Sequence, residues 1–275
     1  MMLDNRFDLE QLAGSAIAAG GQILDLTDQA VAEHVIRSYF RTLPPAGRRH
    51  MVDVGAAYGS VAEVFLNDGW TADLLEPDPT CQRILQRLTA AHGARMRLFP
   101  YAAAGEDRES VPFQQNSTPG LSGFAASPFG TTVAAIPVRA VRLDSFLRSH
   151  AVQRLDFLKI DTEGNDFVVL EAHDFARLPP ALVFVEYSYY FPGQDAALLQ
   201  RAIAAMAARG YAAVVFEYDD DGNFKRGNWS HRLVAVHANG TRVPTRPLAF
   251  GNILFHRHDD RHLPQVLTSL IQALA

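Results

Sequence analysis

The sequence predicts an α/β fold in which helices cover both faces of a parallel β-sheet. Seven short apolar runs have the composition of strands, and most are apolar at consecutive positions, as strands buried on both faces are. Segments with helical periodicity separate several of these runs, and such alternation forms the right-handed crossover units of a parallel sheet. The runs are residues 50–55, 72–77, 96–101, 155–161, 182–187, 212–218 and 252–257.

Two of the intervening segments have the clearest helical pattern. Residues 78–88 place Ile84, Leu85 and Leu88 on one face of a predicted helix. Residues 195–210 predict a longer helix that Gly210 is suited to end. The apolar face of that second helix consists of Leu198, Leu199, Ala202, Ile203 and Met206.

Two regions depart from the alternation of strands and helices. Residues 1–45 precede the first core strand and are predicted to form a helical extension, so that residues 46–275 make up the main domain. Residues 104–143 are predicted to be an insertion that carries additional strands at residues 110–115 and 132–143.

Composition limits the class of partner and the compartment. The formal net charge of the 275 residues is -5, which argues against nucleic acid as the main partner, because binding phosphates needs a basic face. Cys81 is the only cysteine, so the chain builds neither a disulfide nor a cysteine-ligated zinc site. A reducing cytoplasm is the expected location. No apolar stretch of the sequence approaches the length of a membrane span.

The stretch VDVGAAYGS, residues 52–60, is a strand followed by a turn with little side-chain bulk. In a sheet of this class, ligands bind beyond the carboxyl ends of the strands. Gly55 and Gly59 would let the backbone approach such a ligand closely. Asp53 needs a partner, either donors of the turn or a cationic ligand, because an unpaired buried carboxylate is costly.

A second acid, Glu76, ends the next strand. It lies about twenty residues beyond Gly55, the spacing at which an acid reaches the hydroxyls of a ribose. A carboxylate accepts two hydroxyl hydrogen bonds at once. Asp53, Gly55, Gly59 and Glu76 together therefore predict a ligand that contains adenosine.

The glycine spacing favours S-adenosylmethionine over NAD. The NAD fingerprint is G-x-G-x-x-G, which places a pyrophosphate at a helix N-terminus, whereas this turn has G-x-x-x-G and an acid before the first glycine. That acid would repel a pyrophosphate and suits a sulfonium cation. An NAD-dependent oxidoreductase and a binding module without turnover remain the alternatives.

Three motifs resemble those of the FkbM-type S-adenosylmethionine-dependent methyltransferases. They are VDVGAAYG, EPDP and LDFLKIDTEGNDFVVLEA, the last at residues 155–172. Two positions depart from the family pattern, because Ala57 stands where Asn is usual and Asp166 where Glu is usual. The resemblance implies a class I methyltransferase fold, a seven-stranded, mostly parallel sheet with an antiparallel last strand and helices on both faces. It also implies O-methylation of sugars, polyketides or other natural products, with the insertion beside the active site.

The resemblance also assigns site residues. Asp161, at the end of the fourth strand, is expected near the transferred methyl group and in the cofactor site. Asp53, Gly55 and Gly59 are expected to hold the methionine part, and Glu76 the ribose. The full set of expected cofactor-binding residues is Asp53, Gly55, Ala56, Tyr58, Gly59, Glu76, Pro77, Tyr101, Ala102 and Asp161.

Methyl transfer to a hydroxyl requires an aligned nucleophile and a base that removes its proton. The fourth strand ends in IDTEG, which has no aromatic platform for a planar base. The candidate catalytic residues are Asp161, Glu186 and Glu163, with His231 as a further base. Asp161 and Glu186 end neighbouring strands, so they could share a proton or hold a divalent metal. The base is favoured and no metal site is assigned, because the sequence shows no third ligand.

Lys159 is expected to be a buried partner of one of these acids. Residues 116–130 form a loop rich in serine, glycine and proline between two predicted strands. Its Leu121, Phe124 and Phe129 would be unnecessary in a solvated linker, and long loops of compact domains are often lids. The sequence therefore predicts an O-methyltransferase that acts on a small-molecule or glycan acceptor, with this loop as a lid over that acceptor.

Overall fold

The computed structural model describes residues 28–219, 232–238 and 242–274. The predicted helical character of residues 1–27 and the candidate base His231 lie outside these ranges. The strands are β1 His50–Val54, β2 Thr71–Leu75, β3 Met96–Phe99, β4 Tyr101–Ala104, β5 Arg108–Asn116, β6 Thr132–Arg142, β7 Phe157–Ile160, β8 Leu182–Ser188, β9 Tyr211–Asp219, β10 Arg232–Ala238 and β11 Phe250–Arg257.

Two short helical segments among the described residues are not α-helical. A π-helical turn, Ala32–Ile36, separates the first two α-helices, and a 3₁₀ turn, Gly93–Arg95, precedes β3. The α-helices are α1 Asp28–Val31, α2 Arg37–Thr42, α3 Ser60–Asn67, α4 Pro79–His92, α5 Leu143–Ser149, α6 Asp166–Glu171, α7 Ala196–Ala208 and α8 His262–Leu274. None of the helices within the described ranges is long and apolar enough to cross a bilayer.

The chain divides into two compact units, residues 46–186 and residues 187–275 together with the chain up to Pro45. In the 46–186 unit, strands β8, β7, β1, β2 and β3 lie side by side in that order, and all of them run parallel. Four of the five residues of β1 and all four residues of β7 are buried. This burial explains the consecutive apolar runs of the sequence and confirms the predicted α/β fold with a mostly parallel sheet.

The insertion forms a second, smaller sheet in the 46–186 unit. Its strand order is β4-β6-β5, with β4 parallel and β5 antiparallel to β6. Ala102, Phe113 and Val138 form its buried core, and Phe124 of the following loop packs against them. Both strands that the sequence predicts in this region are therefore present.

The strands β9, β10 and β11 of the 187–275 unit pair in antiparallel fashion. Strand β9 pairs antiparallel with β11 on one side and with β10 on the other, so the predicted antiparallel last strand is confirmed. Strand β10 was not among the predicted runs. Helix α7 begins after Asp195, whose carboxylate accepts a hydrogen bond from the backbone N–H of Leu198 at 2.7 Å. Four residues of its predicted apolar face are buried, namely Leu199, Ala202, Ile203 and Met206.

Candidate functional site

The turn after β1 approaches the end of β7 so closely that only glycine fits. Gly55 has a φ of +75°, and a Cβ atom there would lie 1.7 Å from the carbonyl oxygen of Asp161. The backbone N–H of Asp161 donates to the carbonyl of Val54 at 3.0 Å. Gly59 has a φ of +76° and precedes α3, and a Cβ atom there would meet Leu85 at 2.7 Å. The two glycines therefore keep a compact turn between two strand ends.

Glu76 directs a buried carboxylate towards this turn. Its Oε2 accepts a hydrogen bond from the backbone N–H of Ala57 at 2.8 Å, and its Oε1 accepts one from Asp78 at 2.7 Å. The side chain is 5% exposed. Burial raises the pKa of Glu76 to about 7, although the two backbone hydrogen bonds act in the opposite direction. The carboxyl group is thus fixed in place and poised to change its charge near neutral pH.

A cavity lies beyond the ends of β1, β2 and β7, within the 46–186 unit. It brings together seven of the residues that the sequence predicted for the site, from four separate segments. The remaining wall comes from β4, from the insertion and from the turns after β1, β2 and β7. Its lining residues are Gly55, Ala57, Glu76, Pro77, Asp78, Tyr101, Ala102, Ala103, Phe113, Gly120, Ser122, Phe124, Asp161, Thr162 and Glu163.

Among the described residues, five predicted site residues are not part of this lining: Asp53, Ala56, Tyr58, Gly59 and Glu186. Asp53 is 1% exposed, and burial raises the pKa of its carboxyl against the lowering effect of Lys159. Ala56 accepts a hydrogen bond from the N–H of Gly59 at 2.7 Å, which closes the turn. Tyr58 is 46% exposed and donates its hydroxyl to the carbonyl of Pro119 at 2.6 Å.

The carboxylates of Asp161, Glu163 and Glu186 form one cluster. Each of the three offers an oxygen, and these oxygens lie within 4.8 Å of one another. Ile160 pairs with Val185 across β7 and β8, so Asp161 and Glu186 follow in register, and their predicted proximity is confirmed. The sequence showed no third ligand, but the structure brings Glu163 into the cluster. Three carboxylate oxygens at this separation could hold a divalent cation or share a proton.

Asp166 supports the turn that carries Glu163. Its buried carboxylate accepts hydrogen bonds from the backbone N–H of Thr162 at 2.6 Å, from the Thr162 hydroxyl at 3.0 Å and from the N–H of Gly164 at 3.2 Å. Burial, and then the charge of Asp161, raise the pKa of Asp166 to about 6. Asp166 therefore orients the carboxylate cluster through the backbone and does not line the cavity itself.

Eight residues of the cavity wall are not among the site residues assigned from the sequence, although three of them lie in the loop predicted to be a lid. The eight are Ala57, Asp78, Ala103, Phe113, Gly120, Ser122, Phe124 and Thr162. Ser122 donates its hydroxyl to the Asp78 carboxylate at 2.6 Å, and Gln115 donates to the same carboxylate at 3.2 Å. The loop of residues 116–130 is thus fastened to the start of α4, which Asp78 caps through Thr80. In the sequence, only the presence of Asp78 in the EPDP motif pointed to this contact.

A comparison with protein families identifies the class of this protein. The family described as Methyltransferase FkbM domain matches residues 53–213, which is more than half of the chain. The chain belongs to the FkbM methyltransferase family. Membership confirms an S-adenosylmethionine-dependent methyltransferase and removes the NAD-dependent alternative. The residues also fit this cofactor, because a carboxylate suits both its ribose hydroxyls and its cation, and the carboxylates of Glu76 and Asp161 line the cavity.

Solved structures were also compared with this FkbM methyltransferase. An O-methyltransferase from Bacillus cereus in complex with SAH is 11% identical over 94% of this chain and 93% of that chain, with a TM-score of 0.44. A precorrin-6y C5,15-methyltransferase from Geobacter metallireducens is 12% identical over 80% of this chain and 86% of that chain, with a TM-score of 0.40. A search of curated protein sequences found no match to this chain.

Proposed function

We propose that this methyltransferase transfers a methyl group to a hydroxyl of a carbohydrate or another natural product. The observation that supports this proposal is the carboxylate cluster of Asp161, Glu163 and Glu186 beside the cofactor cavity. A hydroxyl acceptor needs a base near the transferred methyl, and a carboxylate held close to the acceptor can take the hydroxyl proton. The sequence at this position, IDTEG, carries no aromatic side chain for stacking a nucleobase.

The residues have separate roles in this proposal. Glu76 binds the ribose hydroxyls, the Gly55 turn holds the methionine part, and Tyr101 and Ala102 flank the adenine. S-adenosylmethionine supplies an electrophilic methyl group bound to a sulfonium sulfur. That sulfur is a good leaving group and needs no further activation. Asp161 orients the acceptor hydroxyl in line with that methyl and takes its proton, assisted by Glu163 and Glu186. We also propose a cytoplasmic location, because the single cysteine, Cys81, is a buried free thiol.

Thermal unfolding with added ligands tests the cofactor, and isotope transfer tests the acceptor. S-adenosylmethionine and S-adenosylhomocysteine should raise the melting temperature, since both bind only the native chain, while NAD should leave it unchanged. A cofactor with a labelled methyl group should then label neutral glycans and hydroxylated polyketides. The matched deoxy analogues, which lack the accepting hydroxyl, should stay unlabelled. Label that appears on amines or on nucleic acid would contradict the proposal.

A further inference from the structure

Lys159 is a buried cation that contacts three oxygens at the end of the parallel sheet. The residue is 4% exposed. Its ammonium lies 3.1 Å from Oδ2 of Asp161 and 3.2 Å from the carbonyl oxygen of Gly55. The same ammonium is 3.4 Å from Oδ1 of Asp53. Gly55 and Asp161 both line the cofactor cavity, so one side chain joins two parts of its wall.

Asp53, in β1, is a second carboxylate beside this cation. Asp53 and Lys159 are partners in the register of β1 and β7, so their side chains share a face of the sheet. Neither Asp53 oxygen accepts a hydrogen bond from any residue that the structure describes, and the ammonium of Lys159 is its charge partner. Asp53 is 1% exposed and lies outside the cavity lining, whereas Lys159 contacts both Asp53 and two residues of that lining.

We propose that Lys159 is a positioning residue, and that Asp53 acts on the cofactor site through Lys159 and not by direct contact. Asp53 neutralises the buried ammonium and fixes its place, since an unpaired buried charge is strongly unfavourable. The fixed ammonium holds the Gly55 carbonyl and Oδ2 of Asp161, which leaves Oδ1 for the bound ligands. The inference rests on the proposed function, because it concerns the same S-adenosylmethionine site.

A double-mutant cycle tests this relationship. The variants are Asp53→Asn, Lys159→Met and the two combined, and the measurements are the Kd for S-adenosylmethionine by calorimetry and the melting temperature. Lys159→Met should weaken binding by about tenfold or more, and Asp53→Asn should weaken it less. In the combined variant, Asp53→Asn should add less than about twofold to the effect of Lys159→Met, because coupled residues are not additive.

Stability separates positioning from a purely structural role. The combined variant has no uncompensated buried charge, so its melting temperature should recover above that of Lys159→Met while its Kd stays weak. A matched control is the Asp73–Arg97 pair, which joins β2 and β3 in register and keeps a 2.6 Å hydrogen bond outside the cavity. Asp73→Asn combined with Arg97→Met should change the melting temperature and leave the Kd unchanged.

The outcomes are distinguishable from one another. Recovery of both the melting temperature and the Kd in the combined variant would make Lys159 a structural residue only. If the fold-change in Kd of the combined variant equals the product of the two single fold-changes, Asp53 contacts the cofactor directly. Either result overturns the positioning role while the wild-type chain still binds S-adenosylmethionine. A wild-type chain that does not bind S-adenosylmethionine would instead contradict the proposed function.

Discussion

The backbone N–H of Ala57 donates a hydrogen bond to the carboxylate of Glu76 across 2.8 Å. This contact ties the glycine turn after β1 to the end of β2, so the two segments form one side of the cavity. A second backbone donor, from Asp78, holds the other Glu76 oxygen. Each carboxylate oxygen has a second lone pair, and these are available for the ribose hydroxyls that we propose Glu76 binds.

We expect S-adenosylmethionine to bind more tightly as the pH rises through about 7, where burial places the pKa of Glu76. Below that pH the free chain carries a proton on Glu76 that must leave before the carboxylate can accept two hydroxyls. The apparent affinity falls with the ionised fraction, so the Kd at pH 6 should be about tenfold higher than at pH 8. Calorimetry at both pH values measures the change.

Glu76→Gln is the matched control, because it keeps the size of the side chain and removes its titration. This variant should bind about 2–3 kcal/mol more weakly at pH 8, the size of a lost charged hydrogen bond, and should lose the pH dependence. Asp166, with a pKa of about 6, is present in both chains, so the difference between them isolates Glu76. Parallel pH profiles for the two chains would remove Glu76 from the ribose site.

The sequence predicts the strands well, and it points to two acids that line the cavity, for physical reasons. Strands such as β1 and β7 are buried on both faces, so their composition alone identifies them. Glu76 and Asp161 follow strand ends, where the topology of the fold already requires a ligand site. For these two acids, the position directly after a predicted strand is sufficient to suggest a place near a ligand site.

Contacts made by turns and loops could not be predicted in the same way. Glu163 lies in the acid cluster with a backbone φ of +56°. No local sequence pattern predicts this left-handed conformation for a glutamate. Asp53 lies beside Lys159 because β1 and β7 pair in one particular register. The hydrogen bond between Ser122 and Asp78 spans 44 positions. Each of these contacts depends on tertiary structure, which cannot be inferred from residue type and local spacing alone.

Chelation should distinguish a carboxylate base from a metal site at Asp161, Glu163 and Glu186. If Asp161 is the base, methyl transfer should survive EDTA, and Asp161→Asn should lower turnover far more than cofactor affinity. The readout is the transfer rate to an acceptor identified by the isotope screen, together with the Kd for S-adenosylmethionine. Loss of activity in EDTA that Mg²⁺ or Mn²⁺ restores would assign the cluster to a metal.

Gly55→Ala should abolish cofactor binding, because the new Cβ atom would overlap the carbonyl of Asp161 at 1.7 Å. Relieving that overlap requires separation of β1 from β7. Gly69→Ala is the matched control, since Gly69 has a similar φ of +85° and nothing within 4 Å of its Cβ position. The control should cost about 1 kcal/mol of stability and keep the wild-type Kd. Equal affinities for the two variants would contradict the close approach.

Pro137→Thr should make the chain associate. Strand β4 pairs only with residues 139–142 of β6, so within the described ranges the first half of β6 has an open edge, with Val133 59% exposed. Pro112 and Pro137 face each other across β5 and β6, and because neither has an N–H, this pair blunts both edges of the hairpin. Light scattering should show a larger mass for Pro137→Thr than for wild type at equal concentration, and equal masses would contradict this role.

The last prediction concerns the loop of residues 116–130, which contributes to the wall of the cavity. Gly120, Ser122 and Phe124 line that cavity, whose volume is about 40 Å³. Pockets that bind small-molecule ligands usually measure about 300–1,000 Å³. The cavity is much smaller than that, so we expect the loop to move when the cofactor binds. The contacts of the loop that such a movement would break include the hydrogen bond from Ser122 to Asp78 and the one from Tyr58 to Pro119.

Two variants test this lid. Ser122→Ala should speed the release of S-adenosylhomocysteine in stopped-flow measurements, whereas Ser127→Ala, in the same loop but bonded only to the Phe129 N–H, should not. Replacing residues 119–128 by a short Gly/Ser linker should preserve the fold and equilibrium cofactor binding and should severely reduce methyl transfer, because water then reaches the sulfonium. A deletion variant that methylates its acceptor at the wild-type rate would show that the loop is no lid.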